Sequence, residues 1–578
     1  MTDKTNFVPS CLRVSDLLEQ HFDTAFAAPD GVAKLRELIL TLAMQGKLVE
    51  QNPNDPPASE LLKEIEAEKK RASHEGTKAR RGKEKKLPQI KPEEVPYQLP
   101  QGWEWVRLGE IGIINPRNDA MESEFAGFVP MPLIPEGYSD KHQFEERPWS
   151  EIKKGYTHFA DGDVGMAKIT PCFENAKSCV FSGLPNGIGA GTTELHIFRN
   201  SFNSVAPRFL LYYLKNPNYI SRAVPKMTGS AGQKRVPTPY FTEQLFPLPP
   251  LSEQHRIVAR IDQLMARCDA LEKLRKEREE KRLAVHAAAI KQLFDAPNGS
   301  AWGFIQQHFG ALYTVKENVA ELRKAILQLA VMGRLVPQDP NDPPASELLK
   351  EIEAEKQRLV KAGKIKKPKP LPPIKSEEVP YQLPQGWEWV RLGDAGAFER
   401  GKSKHRPRND KRLFEHGTYP FVQTGDVSRS KTTENQILTC NSYYNDFGLK
   451  QSRLWEKGTL CITIAANIAE TGFLGMDACF PDSVVAFLGI DKSLEKLVKV
   501  FIDVAKGDLE HFAPSTAQKN INLGIINELL FPLPPLPEQH RIVARIDQLM
   551  AQCDTLDQQI DAATGKQTEL LNAVMAQV

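Results

Sequence analysis

Apolar residues recur at alternating spacings of four and three through Ile542, Ile546, Leu549, Cys553, Leu556, Ile560 and Ala563, then at Leu570 and Val574. That period predicts a long helix with a coiled-coil seam, broken at Gln567. The same seam begins earlier in the chain, at Ile257, Ile261, Leu264, Cys268 and Leu271. There it meets Arg275, Arg278 and Arg282 before resuming at Val285. Both helices are expected to start just after a proline run, at Ser252 and Pro537, which suit helix starts. The two stretches, FPLPPLSEQHRIVARIDQLMARCDALE at 246–272 and FPLPPLPEQHRIVARIDQLMAQCDTLD at 531–557, agree at 23 of 27 positions.

A second pair of patterns precedes these. KLRELILTLAMQGKLV at 34–49 and ELRKAILQLAVMGRLV at 321–336 each predict a short amphipathic helix ended by glycine, Gly46 or Gly333. Each leads into PNDPPASELLKEIEAEK, identical at 53–69 and 340–356, and then into a basic, proline-containing linker. A third repeat, EEVPYQLPQGWEWVRLG, is identical at 93–109 and 377–393. Its Trp-Glu-Trp-Val-Arg-Leu core alternates as a half-buried strand does. Between it and the proline run lie two unlike stretches, about 110–245 and 394–530. Short β-branched and aromatic runs at 163–169, 194–198, 460–464 and 484–489 mark them as mixed α/β globules.

The expected fold class is therefore mixed α/β: two globules separated by long antiparallel coiled-coil helices in a pseudo-twofold, circular arrangement. The expected boundaries are 1–92 for an N-terminal helical region and basic linker, 93–250 for the first globule and 251–376 for a central spacer. The second globule then occupies 377–535, and the C-terminal spacer helix 536–578. Circularity follows from the order of the repeats. A central pair of helices stands at 252–336, and the two chain ends hold the halves of a matching pair, whose unpaired seams would expose apolar surface.

Composition adds little to this. The 578 residues carry a formal net charge of +2, so any affinity for nucleic acid must come from local patches. Eight cysteines show no CxxC pair and no zinc spacing, which reads as a reducing cytoplasm. No leader pattern and no run of about 18 apolar residues is present. GAFERGKS at 396–403 formally matches the phosphate-binding pattern GxxxxGK[ST]. The residues that follow, KHRPRNDKR, cannot supply the required helix, and 112–117 in the first globule lacks the motif. The Asp-Pro-Pro triplets at 55–57 and 342–344 are followed by alanine where a base-stacking aromatic would be needed. His255 and His540 lie one turn into their helices and read as structural. No catalytic constellation and no metal site assembles.

Binding chemistry remains. RGKSKHRPRNDKR at 400–412 holds seven Lys or Arg and one acid, a source of phosphate attraction. Candidate DNA-binding residues there are Lys402, Lys404, Arg406, Arg408 and Asn409, joined by Gln423, Arg429 and Lys431. In the first globule they are Arg117, Asn118, Lys141, Arg147 and Lys177. Two matched loops, GSAGQKRV and PSTAQKNI, add Gln233, Lys234 and Arg235 and their counterparts Gln518, Lys519 and Asn520. Amides and guanidiniums can read base edges through paired hydrogen bonds. An ordinary solvated surface is the competing reading for any one of them.

The repeats taken together resemble the specificity (S) subunit of type I restriction-modification enzymes. The resemblance rests on PLPPLxEQxRIVxxID, on the helix ending in (Q/M)G(K/R)LV, on LPxGWxWVxLG and on the two-copy layout. It implies that each globule is a target recognition domain reading one half of a split, asymmetric sequence in double-stranded DNA. It implies that the helices set the spacer and dock two methyltransferase (modification) subunits, which restriction/translocase subunits then join. It also implies that this chain binds no cofactor, S-adenosylmethionine, ATP and magnesium belonging to the partners. The rival expectations are a P-loop NTPase acting at GAFERGKS and a coiled-coil scaffold that binds only proteins.

Overall fold

The computed structural model of the chain describes residues 26–74, 87–200, 203–295, 300–511 and 521–576. Compactness divides the chain into one unit of Met1–Arg278 with Ala563–Val578, and a second of Glu279–Ala562. Residues 563–576 thus belong with the unit that begins, among the described residues, at Phe26.

Four helices carry the repeats: α1 (Gly31–Met44), α2 (Leu251–Asp295), α3 (Lys316–Val331) and α4 (Leu536–Ala576). α2 and α4 start one residue before the expected positions, because Gln254 N–H and Gln539 N–H already bond the carbonyls of Pro250 and Pro535, each at 3.0 Å. α1 and α3 end before glycines with φ of +68° at both Gly46 and Gly333, a left-handed stop that favours glycine.

In the first unit, Glu104–Arg107 pairs antiparallel with Leu245–Leu248, so the Trp-Val-Arg repeat and the proline run form one two-stranded ribbon. A four-stranded antiparallel sheet runs in the order Ile113–Ile114, Leu195–Arg199, Val164–Ala167, Ser178–Val180. A second sheet runs Glu145–Pro148, Phe125–Val129, Ile188–Gly191, Thr157–Ala160, its middle pair parallel. The main core joins Ile39, Leu40, Ala43 and Met44 of α1 to Trp103, Phe209, Phe246, Ile257 and Ile261. Leu38 turns the other way and packs with Phe26, Ala28 and Leu571 of α4.

The second unit repeats the ribbon, Glu388–Arg391 against Leu530–Leu533, and then departs. Its sheet has five strands, in the order Ala397–Arg400, Val484–Leu488, Leu460–Thr463, Thr471–Leu474, Gln436–Ile437, with a parallel last pair. The helix Lys492–His511 covers one face through Leu494, Leu497, Val498 and Phe501. A separate ribbon, Tyr419–Pro420 with Tyr443–Tyr444, supports the basic loop.

The identical repeats build identical corners. Glu253 accepts hydrogen bonds from Trp103 Nε1 at 3.0 Å and Gln51 Nε2 at 2.7 Å, and Glu538 from Trp387 at 2.8 Å and Gln338 at 3.0 Å. Burial pushes both carboxyls above their ordinary pKa, so the corners hold them with neutral donors and one nearby arginine each. Those arginines bind the aspartate of the Asp-Pro-Pro triplet: Arg256 to Asp55 at 2.7 Å and Arg541 to Asp342 at 2.6 Å. The triplet is therefore a structural joint and not a base-stacking motif.

Three positions of the expected seam are corrected. Leu271 and Val285 are 45% and 44% exposed, and Ala563 is exposed. Arg36, near the start of α1, reaches Asp269 and Glu272, so α2 outruns its apolar cover at that point. Burial resumes one residue past Val285, at His286, whose ring meets the Tyr313 hydroxyl at 3.1 Å, and continues at Ala289 and Ile290.

Candidate nucleic-acid interface

The glycines of GAFERGKS serve packing. Residues Ala397–Arg400 are a β-strand, paired antiparallel with Val484–Leu488. A Cβ on Gly396 would lie 2.4 Å from the Phe487 ring, and one on Gly401 would lie 2.3 Å from the carbonyls of Phe480 and Pro481. Gly112, at the matching place in the first unit, meets Phe198 in the same way, at 2.3 Å. Ser403 is buried, with its hydroxyl 3.4 Å from that of Tyr444, and residues 404–410 after it form no helix. A strand, a blocked loop and a sequestered hydroxyl cannot cradle a nucleotide's phosphates, so the P-loop reading is set aside.

The basic loop that follows is fixed by an acid the charge pattern treated as incidental. Asp410 accepts from Arg412 Nη2 at 2.7 Å and its backbone N–H at 3.0 Å, and from His405 Nε2 at 2.8 Å. Arg412 first, then His405, hold its carboxyl well below the usual carboxylate range. Arg408 pairs with Asp482 at 2.8 Å. Arg406 donates to the carbonyls of Ser403 and His405, at 2.5 and 2.8 Å, which leaves its charge uncompensated. Lys402 and Lys404 are exposed and without an ion pair among the described residues. Two of the seven cations are therefore neutralised within the fold. The remainder face solvent, Lys402, Lys404 and Arg406 of them on a loop whose backbone is pinned, by Lys404 N–H to Gln451 O at 3.1 Å and Ser452 Oγ to Lys402 O at 2.8 Å.

Arg408, Asn409 and Gln423 line one cavity of about 470 Å³. Its other walls are Ser403, Thr424, Ser442 and Ser483, with Phe414, Phe421 and Pro481. Sequence reading missed the hydroxyls, since isolated serines in loops carry no pattern. Nearby, Arg429 binds Asp426, and Lys431 binds Glu470 at 2.6 Å, so both are partly compensated.

In the first unit, several candidates have partners within the fold. Asn118 donates to Phe159 O at 2.6 Å and accepts from Arg199 at 2.8 Å, which occupies its amide. Arg147 lies over the Phe128 ring at 4.0 Å and pairs with Glu145 at 2.6 Å. Lys177 is largely buried against Met131 O and Glu136, at 3.3 and 3.4 Å. Arg235 makes a bidentate pair with Glu194, both bonds at 2.9 Å. Arg117 and Lys141 remain exposed, as do Gln233 and Lys234 at the tip of a hairpin closed by Thr228 and Arg235. Gln518, Lys519 and Asn520 lie outside the described residues.

Among the described residues, no group of three or more His, Cys, Asp or Glu could hold a metal ion, and no helix is long and apolar enough to cross a membrane. The family model for the type I restriction modification DNA specificity domain matches twice, at residues 100–280 and 384–563. The chain is 41% identical to the type I restriction enzyme EcoAI specificity subunit of Escherichia coli over 93% of its length and 92% of the relative's. It is 39% identical to the EcoEI specificity subunit of Escherichia coli, over 94% and 93%. Among solved structures, the HsdS subunit from Thermoanaerobacter tengcongensis aligns with 83% of this chain and 98% of that one, at 21% identity and a TM-score of 0.48.

Proposed function

The chain belongs to the type I restriction-modification DNA specificity family, a DNA-recognition and not a catalytic component, and on that premise we propose that its two globules read the two halves of a bipartite, asymmetric DNA target. One observation carries this reading. The same ribbon and Trp–Glu corner recur in both units, while the sheets mounted on them differ in strand number and order. A repeated mount with unlike readers suits recognition of unlike half-sites, since base contacts specify and backbone contacts only position.

Specificity subunits of type I systems assemble with methyltransferase and restriction subunits and bind DNA. For this chain the proposal is finer. The helices dock two methyltransferase subunits and set the spacer, and restriction/translocase subunits join that core in the cytoplasm. S-adenosylmethionine, ATP and magnesium sit on those partners. The uncompensated cations of the basic loop, Lys402 and Lys404 foremost, contact phosphates of the second half-site.

The test is the salt dependence of DNA binding by the complex of this chain with its methyltransferase subunits. Each phosphate contact contributes about 0.9 to the slope of log K against log salt. Replacing Lys402 and Lys404 with alanine is expected to flatten the slope by about 2 and to weaken specific and non-specific binding alike. Arg408→Ala should flatten it less, because Asp482 already compensates that charge. An unchanged slope for the double variant would remove the basic loop from the interface. DNA binding no stronger and no more selective than that of the methyltransferase subunits alone would favour the protein-only scaffold.

A further inference from the structure

Most polar side chains around the second globule's basic loop are spent on the fold. Arg406 bonds its own loop, Arg408 bonds Asp482, Arg412 bonds Asp410, Arg429 bonds Asp426 and Lys431 bonds Glu470. Asn409, like Lys402 and Lys404, is unspent: its amide is exposed and has no partner among the described residues. Gln423 is nearly so, with a single side-chain bond, to Ser442 Oγ at 3.3 Å. Both line the cavity of about 470 Å³, whose lining includes no carboxylate.

The backbones that carry these two amides are fixed. Asn409 immediately precedes Asp410, which the Arg412 and His405 bonds lock in place. Gln423 N–H bonds Asp426 Oδ2 at 2.7 Å, and the Tyr444 ring stacks on Phe421 behind it, with centroids 4.0 Å apart. The cleft therefore offers two amides on rigid supports, hydroxyls beside them, an aromatic wall and the Arg408 guanidinium. A primary amide both donates and accepts, and in the major groove it matches the N6–H and N7 of adenine. Guanine's O6 and N7 both accept, and suit arginine or lysine instead.

We infer that Asn409 and Gln423 are the sequence-reading side chains of the second globule, and that they take adenine edges in an intact duplex. The inference rests on the half-site reading above and adds to it the residues and the base class. Lys402 and Lys404 place the backbone, and Arg408, held by Asp482, closes the cleft without reading.

The test uses the full chain assembled with its methyltransferase subunits, and maps methylated sites for Asn409→Ala and Gln423→Ala. A bidentate amide–adenine contact discriminates by roughly 5- to 150-fold. Each variant is expected to lose that preference at one or two A·T positions of the second half-site. The first half-site should stay unchanged, which also shows that the complex is folded. Gln423→Glu keeps size and shape and replaces the donor with an acceptor. It is expected to move preference at its position toward cytosine, whose N4–H donates. In binding assays, 7-deazaadenine at the affected position should penalise the parent complex and not the variant. Variants that keep the complete parental sequence would overturn the inference and leave the half-site reading intact. Degeneracy confined to the first half-site, or to G·C positions, would overturn it as well. A parent complex without sequence preference would instead defeat the half-site reading itself.

Discussion

Removing residues 1–50 is expected to unfold the first globule, not merely to uncouple it from a helix. The order of the repeats suggested that the N-terminal helix pairs with the C-terminal one while the readers stand apart. Leu38 does meet Leu571, as terminus closure requires. Yet Ile39, Leu40, Ala43 and Met44 belong to the main core of the first globule, and the Tyr97 hydroxyl bonds Met44 O at 2.8 Å. Truncating a buried Leu, Ile or Met costs about 2–5 kcal/mol. Loss of Ile39, Leu40 and Met44 together therefore approaches the whole stability of a domain, about 5–15 kcal/mol. Denaturant unfolding followed with limited proteolysis is expected to show the first unit unfolded and the transition of residues 279–562 retained. Two intact transitions would show that α1 is dispensable to that core.

Four residues inserted between Arg278 and Glu279 are expected to lengthen the gap between half-sites by one or two base pairs. Residues 269–285 of α2 include none that is buried, so an insertion there removes no core contact. The ion pairs Lys273–Glu277 and Glu279–Arg282 lie wholly on one side or the other. A helix rises about 1.5 Å per residue, so four residues add about 6 Å, against about 3.4 Å per base pair. Four residues also make slightly more than one turn of about 3.6, so the later seam keeps its facing. Two residues would rotate it by roughly 200° and should abolish modification. Mapped methylation sites with the parental spacer and full activity would mean that α2 is not the ruler.

The repeats were legible because key repeated residues have a local task. Trp103 and Glu253, or Arg256 and Asp55, meet through contacts that identical sequence builds twice. The strands at 164–167, 195–199, 460–463 and 484–488 followed from β-branched and aromatic runs. The sites were less legible, because charge in sequence does not tell whether a cation will find an acid in space. Arg235 looked like a loop-tip reader and is clamped to Glu194; Asn118 looked free and its amide is used by Phe159 and Arg199. Asp410 looked like a lone acid in a basic run and is the post that shapes it. Leu271 and Val285 fit the seam by spacing alone. Spacing gives the face of a helix and not whether a partner covers it.

If the two globules read separate half-sites, each should be exchangeable without touching the other's sequence. This is tested most directly by replacing residues 110–245 with the corresponding stretch of another specificity subunit and mapping methylated sites in cells that also carry the methyltransferase subunits. The ribbon strand Glu104–Arg107, its partners Phe246 to Leu248 and α2 are retained in the hybrid, so all of the ribbon but Leu245 and the whole spacer helix are unchanged. The expected result is a new sequence in one half-site, with the other half-site and the gap as in the parent. A change in both half-sites, or in neither, would contradict it.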